Sequence, residues 1–190
     1  MRLDLYNRST FSRTKPMWVE AIWIAAQCIF IRSQLPGSAH RRLVLRLFGA
    51  RIGKNVTIKP GVRVKFPWRL SIGDHSWIGE DAWIDNLADV SIGAHCCISQ
   101  GAYLCTGNHD WHATGFDLRV NSLRIRDGAW IAARAVVAPG VTVGEGSILT
   151  LGSVATRNLH AWTINSGSPA KQIGLRVKPP CDAVPPQSRA

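Results

Sequence analysis

From Ile52 onward an aliphatic residue returns at every sixth position. The series runs Ile52, Ile58, Val64; then Ile72, Ile78, Ile84; then Ile92, Ile98, Leu104; and finally Ile125, Ile131, Val137, Val143, Leu149. Four residues after most of these stands a small or slim one, among them Val56, Val62, Ser76, Ala82, Cys96, Ala102, Ala129, Ala135, Ser147 and Ser153. Glycine often follows the aliphatic directly, as at Gly53, Gly73, Gly79, Gly93 and Gly144. A period of six matches neither a helix, at about 3.6, nor a lone amphipathic strand, at about 2. It fits a chain wound into a triangular coil, each side one short strand and a turn, with the aliphatic inside and the small residue where two faces meet. Such a fixed period predicts a solenoid of the parallel β-helix kind. At about 18 residues per coil, residues 51–156 hold about five coils. The register slips by two residues between Val64 and Ile72 and between Ile84 and Ile92, where bulges or wider corners are expected. The rhythm stops after Leu104 and resumes at Ile125, which marks an inserted loop over 106–122.

The flanking segments follow other patterns. Residues 1–50 read as a basic arm followed by helices. Residues 1–15 are polar, and an apolar stretch from Pro16 to Ile31 has its proline suited to a first helical turn. A second helix is predicted from about Ser38 to Phe48, with Ser38 as its cap. The apolar stretch falls short of the roughly 20 residues a membrane span needs, and Glu20 and Gln27 interrupt it. No small-residue cleavage site follows, so a signal peptide is not expected. Two readings of the helices stay open and are compatible. They cap the open end of the β-helix or pack on a neighbouring subunit, or they attach to a membrane surface with arginines on lipid phosphate. Residues 157–178 form a C-terminal segment, and the Pro-rich residues 179–190 are expected to be disordered.

Charge and cysteine content narrow the class. The net charge is +11, and residues 1–51 hold nine basic residues against two acids. That field favours anionic partners. Nucleic acid is not expected, because no nucleic-acid module and no interleaving of basic and aromatic residues is present. The five cysteines, Cys28, Cys96, Cys97, Cys105 and Cys181, show no metal or disulfide spacing. They read as reduced thiols of a cytoplasmic protein, with Cys96 at a wall position.

Chemistry concentrates in the inserted loop, at Thr106-Gly-Asn-His-Asp-Trp-His-Ala-Thr-Gly115. A solenoid tolerates an insertion at a corner, and function gathers in such loops. His109 can take a proton from a hydroxyl and return it near neutral pH. Asp110 or a main-chain carbonyl could hold its ring in the needed tautomer.

The rhythm, this loop and the closing Gly167-Ser-Pro-Ala-Lys171 resemble the left-handed β-helix hexapeptide-repeat acyltransferases. Within them the chain is similar to the galactoside and maltose acetyltransferase group, and closer still to colanic-acid-type acetyltransferases of exopolysaccharide clusters. The matching segments include Leu47-Phe-Gly-Ala-Arg-Ile-Gly53, Trp83-Ile-Asp-Asn-Leu87, Ile98 to Asp110, and Asp127-Gly-Ala-Trp-Ile-Ala-Ala133. The resemblance covers about residues 1–176.

The resemblance implies an all-β, left-handed parallel β-helix with an N-terminal helical extension. It implies acetyl transfer from acetyl-CoA to a hydroxyl of a sugar or lipid-linked glycan, with no metal. His109 matches the family's catalytic histidine, and Asp85 or Asn86, with Asn86 preferred, would face the acceptor. Trp130 matches a tryptophan lining the donor groove, with main chain around Ala133 and Ser153 along the pantetheine arm. Arg157, Lys171 and Arg176 would meet the CoA phosphates. The family forms homotrimers with each site between two subunits. An acceptor built on a lipid carrier at the inner membrane face would make this a cytoplasmic enzyme, peripheral at that membrane. His112, with His95 and His109, keeps a second class in view, the metal-dependent carbonic anhydrases of the same fold. A non-catalytic β-helix scaffold is the third.

Overall fold

In the computed structural model, which describes residues 1–9 and 11–178, each aliphatic of the rhythm sits in a strand of two or three residues. Alternation within the strand turns it inward and its neighbour outward. The strands stack in parallel on three faces. The first face holds Arg51–Ile52, Leu70–Ile72, Val90–Ile92, Leu123–Ile125 and Thr142–Val143. The second holds Thr57–Ile58, Trp77–Ile78, Cys97–Ile98, Trp130–Ile131 and Ile148–Leu149. The third holds Arg63–Val64, Trp83–Asp85, Tyr103–Cys105, Val136–Val137 and Val154–Ala155. Five complete coils result, and a sixth begins with the Val143–Leu159 bridge and the strand Thr163–Gly167. Like stacks on like: Ile58 pairs with Ile78, Ile78 with Ile98, Ile98 with Ile131, and Ile131 with Leu149. These columns are buried, and each such side chain contributes about 1.5–3 kcal/mol.

Two features of the rhythm acquire physical causes. Gly73 leads the chain off the first face where coils approach closely, and a Cβ there would lie 2.5 Å from the Ala94 nitrogen. Three residues after each first-face aliphatic, Asn55, His75, His95, Gly128, Gly146 and Trp162 all adopt the left-handed conformation, at φ of 54–66°. Each of these turns bonds the one before it, as His75 N–H does to Lys54 O at 2.9 Å and His95 N–H to Asp74 O at 2.8 Å. The register slips are wider corners on the third face, the first containing a 3-10 turn at Pro67–Arg69.

Helices α1 (Met17–Ala26) and α2 (Ala39–Leu47) close the first coil. α1 runs on through a π-helical turn at Gln27–Ile31. Pro16 precedes α1 as its N-cap residue instead of occupying the first turn. Trp23, Ile31 and Leu45 join the core. Trp23 Nε1 donates to Val64 O at 2.9 Å, and Gln27 Oε1 accepts from Val64 N–H at 2.6 Å. Ser38 does not cap α2. Its hydroxyl instead donates to Ile58 O at 3.0 Å and accepts from Ile58 N–H at 2.9 Å.

The arginines of α2 are also not a lipid-facing row. Arg41 is 1% exposed and donates to the carbonyls of Ile31, Ser33, Leu35 and Gly37. Arg42 reaches Val56 O, and Arg46 reaches Ile52 O and Gly53 O. These side chains satisfy main-chain carbonyls that the cap would otherwise bury unpaired. Among the described residues, no helix is long and apolar enough to cross a membrane. At the other end, Ala170–Leu175 turns back antiparallel on Thr163–Gly167. Cys181 and the tail read as disordered, 179–190, lie outside the described residues.

Candidate active site

The widened third corner launches the inserted loop. Asn86 Oδ1 accepts from Phe66 N–H at 2.9 Å, and its Nδ2 donates to Phe66 O at 2.6 Å. One coil later Thr106 Oγ1 donates to Asp85 O at 2.9 Å and accepts from Ala88 N–H at 3.0 Å. Buried side chains thus replace the strand ladder where the corner is too wide for it. From Thr106 the chain leaves as a hairpin, Gly107–His109 pairing antiparallel with Leu118–Val120. It returns at Leu123, whose N–H donates to Asp89 O at 3.0 Å, so the coil resumes on the strand below.

His109 occupies the last position of the first hairpin strand. Its Nδ1 lies 2.9 Å from Phe116 O. A carbonyl only accepts, so Nδ1 carries the proton and, in the neutral ring, Nε2 keeps its lone pair. Phe116 adopts φ 54°, which turns this carbonyl onto the imidazole, and its own ring stacks on His109 at 4.3 Å and 4°. The orienting group is therefore this carbonyl and not Asp110. The Asp110 carboxylate is committed to Arg119 Nη2 at 2.5 Å and to His112 N–H at 3.1 Å. Burial pushes that carboxyl up, but the His112 N–H and the Arg119 guanidinium outweigh it and hold the group below its ordinary value. Asp110 thereby braces the hairpin tip.

The N-terminal arm lies along this hairpin, which the sequence did not reveal. Arg2 N–H donates to Thr114 O at 2.8 Å, Leu118 N–H to Asn7 O at 2.9 Å, and Asn7 N–H to Asp117 Oδ1 at 3.0 Å. Gly115 admits the arm: a Cβ there would stand 2.6 Å from Leu5 O. Tyr6 approaches the imidazole at a tilt, 5.9 Å between centroids. Beneath the arm, between α1 and the third face, is a cavity of about 560 Å³ bounded by Tyr6, Trp23, Trp83, Asp85 and Leu118. A larger one of about 870 Å³ opens between Trp18, Phe48 and Trp68 and touches none of the hairpin strands.

Of the two neighbouring side chains expected at the acceptor, Asp85 faces the smaller cavity and Asn86 does not. Asn86 is 0% exposed with its amide spent on Phe66. Asp85 pairs with Lys65 at 3.3 Å and accepts from Tyr103 OH at 3.1 Å. Burial, then the neighbouring Cys105 and Asp85, push the Tyr103 phenol far above its ordinary value, so it stays a donor.

The expected donor-binding residues divide. Trp130 stands outward on the second face, 43% exposed, with Nε1 donating to Ser99 Oγ at 2.9 Å. Ala133 is half-buried at a corner, and Arg157 and Lys171 are exposed near the last coil. Ser153 is occupied within the chain. It is 2% exposed, its hydroxyl accepts from Gly167 N–H, and its N–H and carbonyl bond Thr150 and Val136. Arg176 is likewise engaged, donating to Gly128 O at 2.9 Å and Gly146 O at 3.1 Å. His112 Nε2 accepts from Trp111 Nε1 at 2.9 Å, and His95 stacks on His75 at 5.1 Å. Among the described residues of one chain, no three His, Cys, Asp or Glu side chains gather, so His95, His109 and His112 form no common donor set within a protomer.

No family model matches the sequence. Individual relatives do. The chain is 40% identical over 160 residues to the "Putative colanic acid biosynthesis acetyltransferase WcaF" of Escherichia coli strain K12, covering 84% of this chain and 88% of that one. It is 26% identical over 146 residues to the galactoside O-acetyltransferase of the same organism, covering 73% and 70%. A hexapeptide-repeat acetyltransferase of Vibrio cholerae, solved with acetyl coenzyme A, superposes with a TM-score of 0.77 at 20% identity, covering 85% and 89%. The chain belongs to the hexapeptide-repeat acetyltransferases, enzymes of the acyltransferase class built on a left-handed parallel β-helix.

Proposed function

We propose that this protein transfers acetyl from acetyl-CoA to a sugar hydroxyl during synthesis of a surface or exported polysaccharide, with His109 as general base. The observation that carries the reading is the Phe116 carbonyl on His109 Nδ1, which leaves Nε2 as the lone basic nitrogen. Nε2 takes the proton of the sugar hydroxyl as its oxygen attacks the thioester carbonyl. The C–O bond forms, the C–S bond breaks, and the imidazolium returns the proton to the leaving CoA thiolate. Acetyl-CoA as donor is supported by the relatives' names and by the coenzyme complex above. Trp130, Arg157 and Lys171 are the candidates for contact with it. A site shared between subunits of a homotrimer suits this division, since His109 stands on the hairpin that leaves the third corner while Trp130 stands on the second face. In a purified sample, His109→Ala should keep its oligomeric state and its affinity for CoA, while turnover falls by about 10²–10⁴-fold. Near-normal turnover would remove His109 from the mechanism.

Cytoplasmic residence with peripheral membrane contact is part of the same proposal. α1 and its π-helical extension expose Met17, Trp18, Ile22, Ile29 and Phe30, with Lys15 and Arg32 beside them. That combination suits an anionic lipid surface. Because the arginines of α2 are spent on the cap, the contact would be carried by α1. Co-sedimentation with anionic vesicles should fail for Trp18→Glu, and unchanged sedimentation would reduce α1 to a cap.

A further inference from the structure

Most arginines near the N-terminal cap and arm are already used. Arg41, Arg42 and Arg46 hold main-chain carbonyls, and Arg69 donates to Leu87 O and Ser12 O. Around the cavity beneath the arm the account is different. Five cations line it, Arg8, Arg13, Arg32, Arg63 and Lys65, against two carboxylates, Glu20 and Asp85. Arg13 pairs with Glu20 and Lys65 with Asp85, each at 3.3 Å. Among the described residues no carboxylate pairs with Arg8, Arg32 or Arg63, which leaves a surplus of three positive charges around one concavity.

Arg63 is also held in place. Its guanidinium lies 4.5 Å from the centroid of the Trp83 ring, and Tyr103 stacks on that ring at 4.6 Å. With Trp83 covered by these two groups, it serves as a shelf for Arg63. A guanidinium stacked on a ring keeps its N–H edge free for planar, bidentate recognition of phosphate or carboxylate oxygens. Beside Tyr6 and Gln27 the rest of the wall is apolar, including Phe11, Trp23, Ile24 and Leu118, and about 560 Å³ exceeds what a bare anion fills. The cavity also adjoins the base. Leu118 is the direct strand partner of His109, and Tyr6 lies against the imidazole.

We propose that this cavity binds the acceptor through its phosphate: the substrate is a glycosyl diphosphate ester, its diphosphate held by Arg8, Arg32 and Arg63 and a sugar hydroxyl offered to His109. The proposal rests on the acetyl-transfer reading for its reaction, but not for its binding. The ester's other arm, a nucleoside or an isoprenoid, is not specified by the cations.

The test separates binding from turnover. Inorganic pyrophosphate is titrated by calorimetry into protein saturated with CoA, so that the donor's own phosphate site is filled. Saturable binding is expected, with Arg8→Ala and Arg63→Ala each weakening it about tenfold, the loss of one charge-assisted contact. Arg124→Ala, an equal charge change on the first face, should leave it unchanged. Arg8 is exposed on the arm, so its variant cannot fail through the core. His109→Ala should bind pyrophosphate normally while losing turnover, which separates this proposal from the catalytic one. In turnover assays a nucleotide diphosphosugar and a short-chain isoprenyl diphosphosugar are compared with the same sugar as its methyl glycoside. A lower KM for either diphosphate supports the proposal, and which one wins identifies the ester's other arm. Absence of pyrophosphate binding, an equal loss in Arg124→Ala, or no advantage over the methyl glycoside would each overturn it.

Discussion

Replacing Asn86 by Leu tests whether this residue belongs to the corner or to the acceptor site. The side chains are similar in size, so the change deletes hydrogen bonds without opening a large void. In the wild type the amide satisfies both the N–H and the carbonyl of Phe66, at 2.9 and 2.6 Å, and Asn86 is wholly buried. The Phe66 carbonyl keeps the bond from Arg69 N–H at 3.0 Å, but the Phe66 N–H loses its partner, at a cost of about 1–3 kcal/mol, less a part recovered by burying the leucine. With a urea m-value of about 1–3 kcal/mol/M, the midpoint should fall by about 0.5–1 M at fixed protein concentration. The kcat of the folded fraction, measured well below the transition, should change by less than about threefold, since a group on the acceptor would cost about 10²-fold or more. A variant of wild-type stability whose kcat fell by that larger factor would refute the reasoning and return Asn86 to the substrate.

Two further outcomes follow from the coils. Gly73→Ala should lower the urea midpoint more than Asn86→Leu does, because the added Cβ meets main chain, 2.5 Å from the Ala94 nitrogen, where little can give. An unchanged midpoint would mean that the coils can part locally. The Cys96 thiol is pushed up to about 11, chiefly by burial, with the Asp127 charge acting in the same direction. Since its folded value lies above the unfolded one, its contribution is fully present below about pH 9 and is lost as pH rises toward 11. Cys96 should resist maleimide at neutral pH while exposed Cys28 reacts; rapid native labelling of Cys96 would contradict the burial.

The scaffold was legible because it repeats: Ile58, Ile78, Ile98 and Ile131 occupy one column, so the sequence carries the same information several times. The proposed base was legible because His109 lies in the segment that breaks the period. The choice between Asp85 and Asn86 was open to a closer reading of the same pattern, since the alternation that turns Ile84 inward turns Asp85 outward. The arginines of α2 left two readings open because a basic amphipathic helix on a lipid surface and one stapled to carbonyls have the same composition. Tyr6, the Phe116 carbonyl and the unpaired arginines around the cavity were not legible. Their roles come from contacts across long stretches of chain or from main-chain atoms, on which residue type is silent.

The arm's pairing with the hairpin has a consequence for biosynthesis. Asn7 and its partner Asp117 are separated by 110 residues. At about 5–20 residues per second, the arm is made roughly 5–20 s before the strand it joins. The helical cap and the first coils can form in that interval, each new coil adding to the one before. The wall around His109 cannot, so the chain acquires its scaffold first and the surroundings of its proposed base last. A ribosome stalled midway through the solenoid would carry ordered coils with the arm still unpaired.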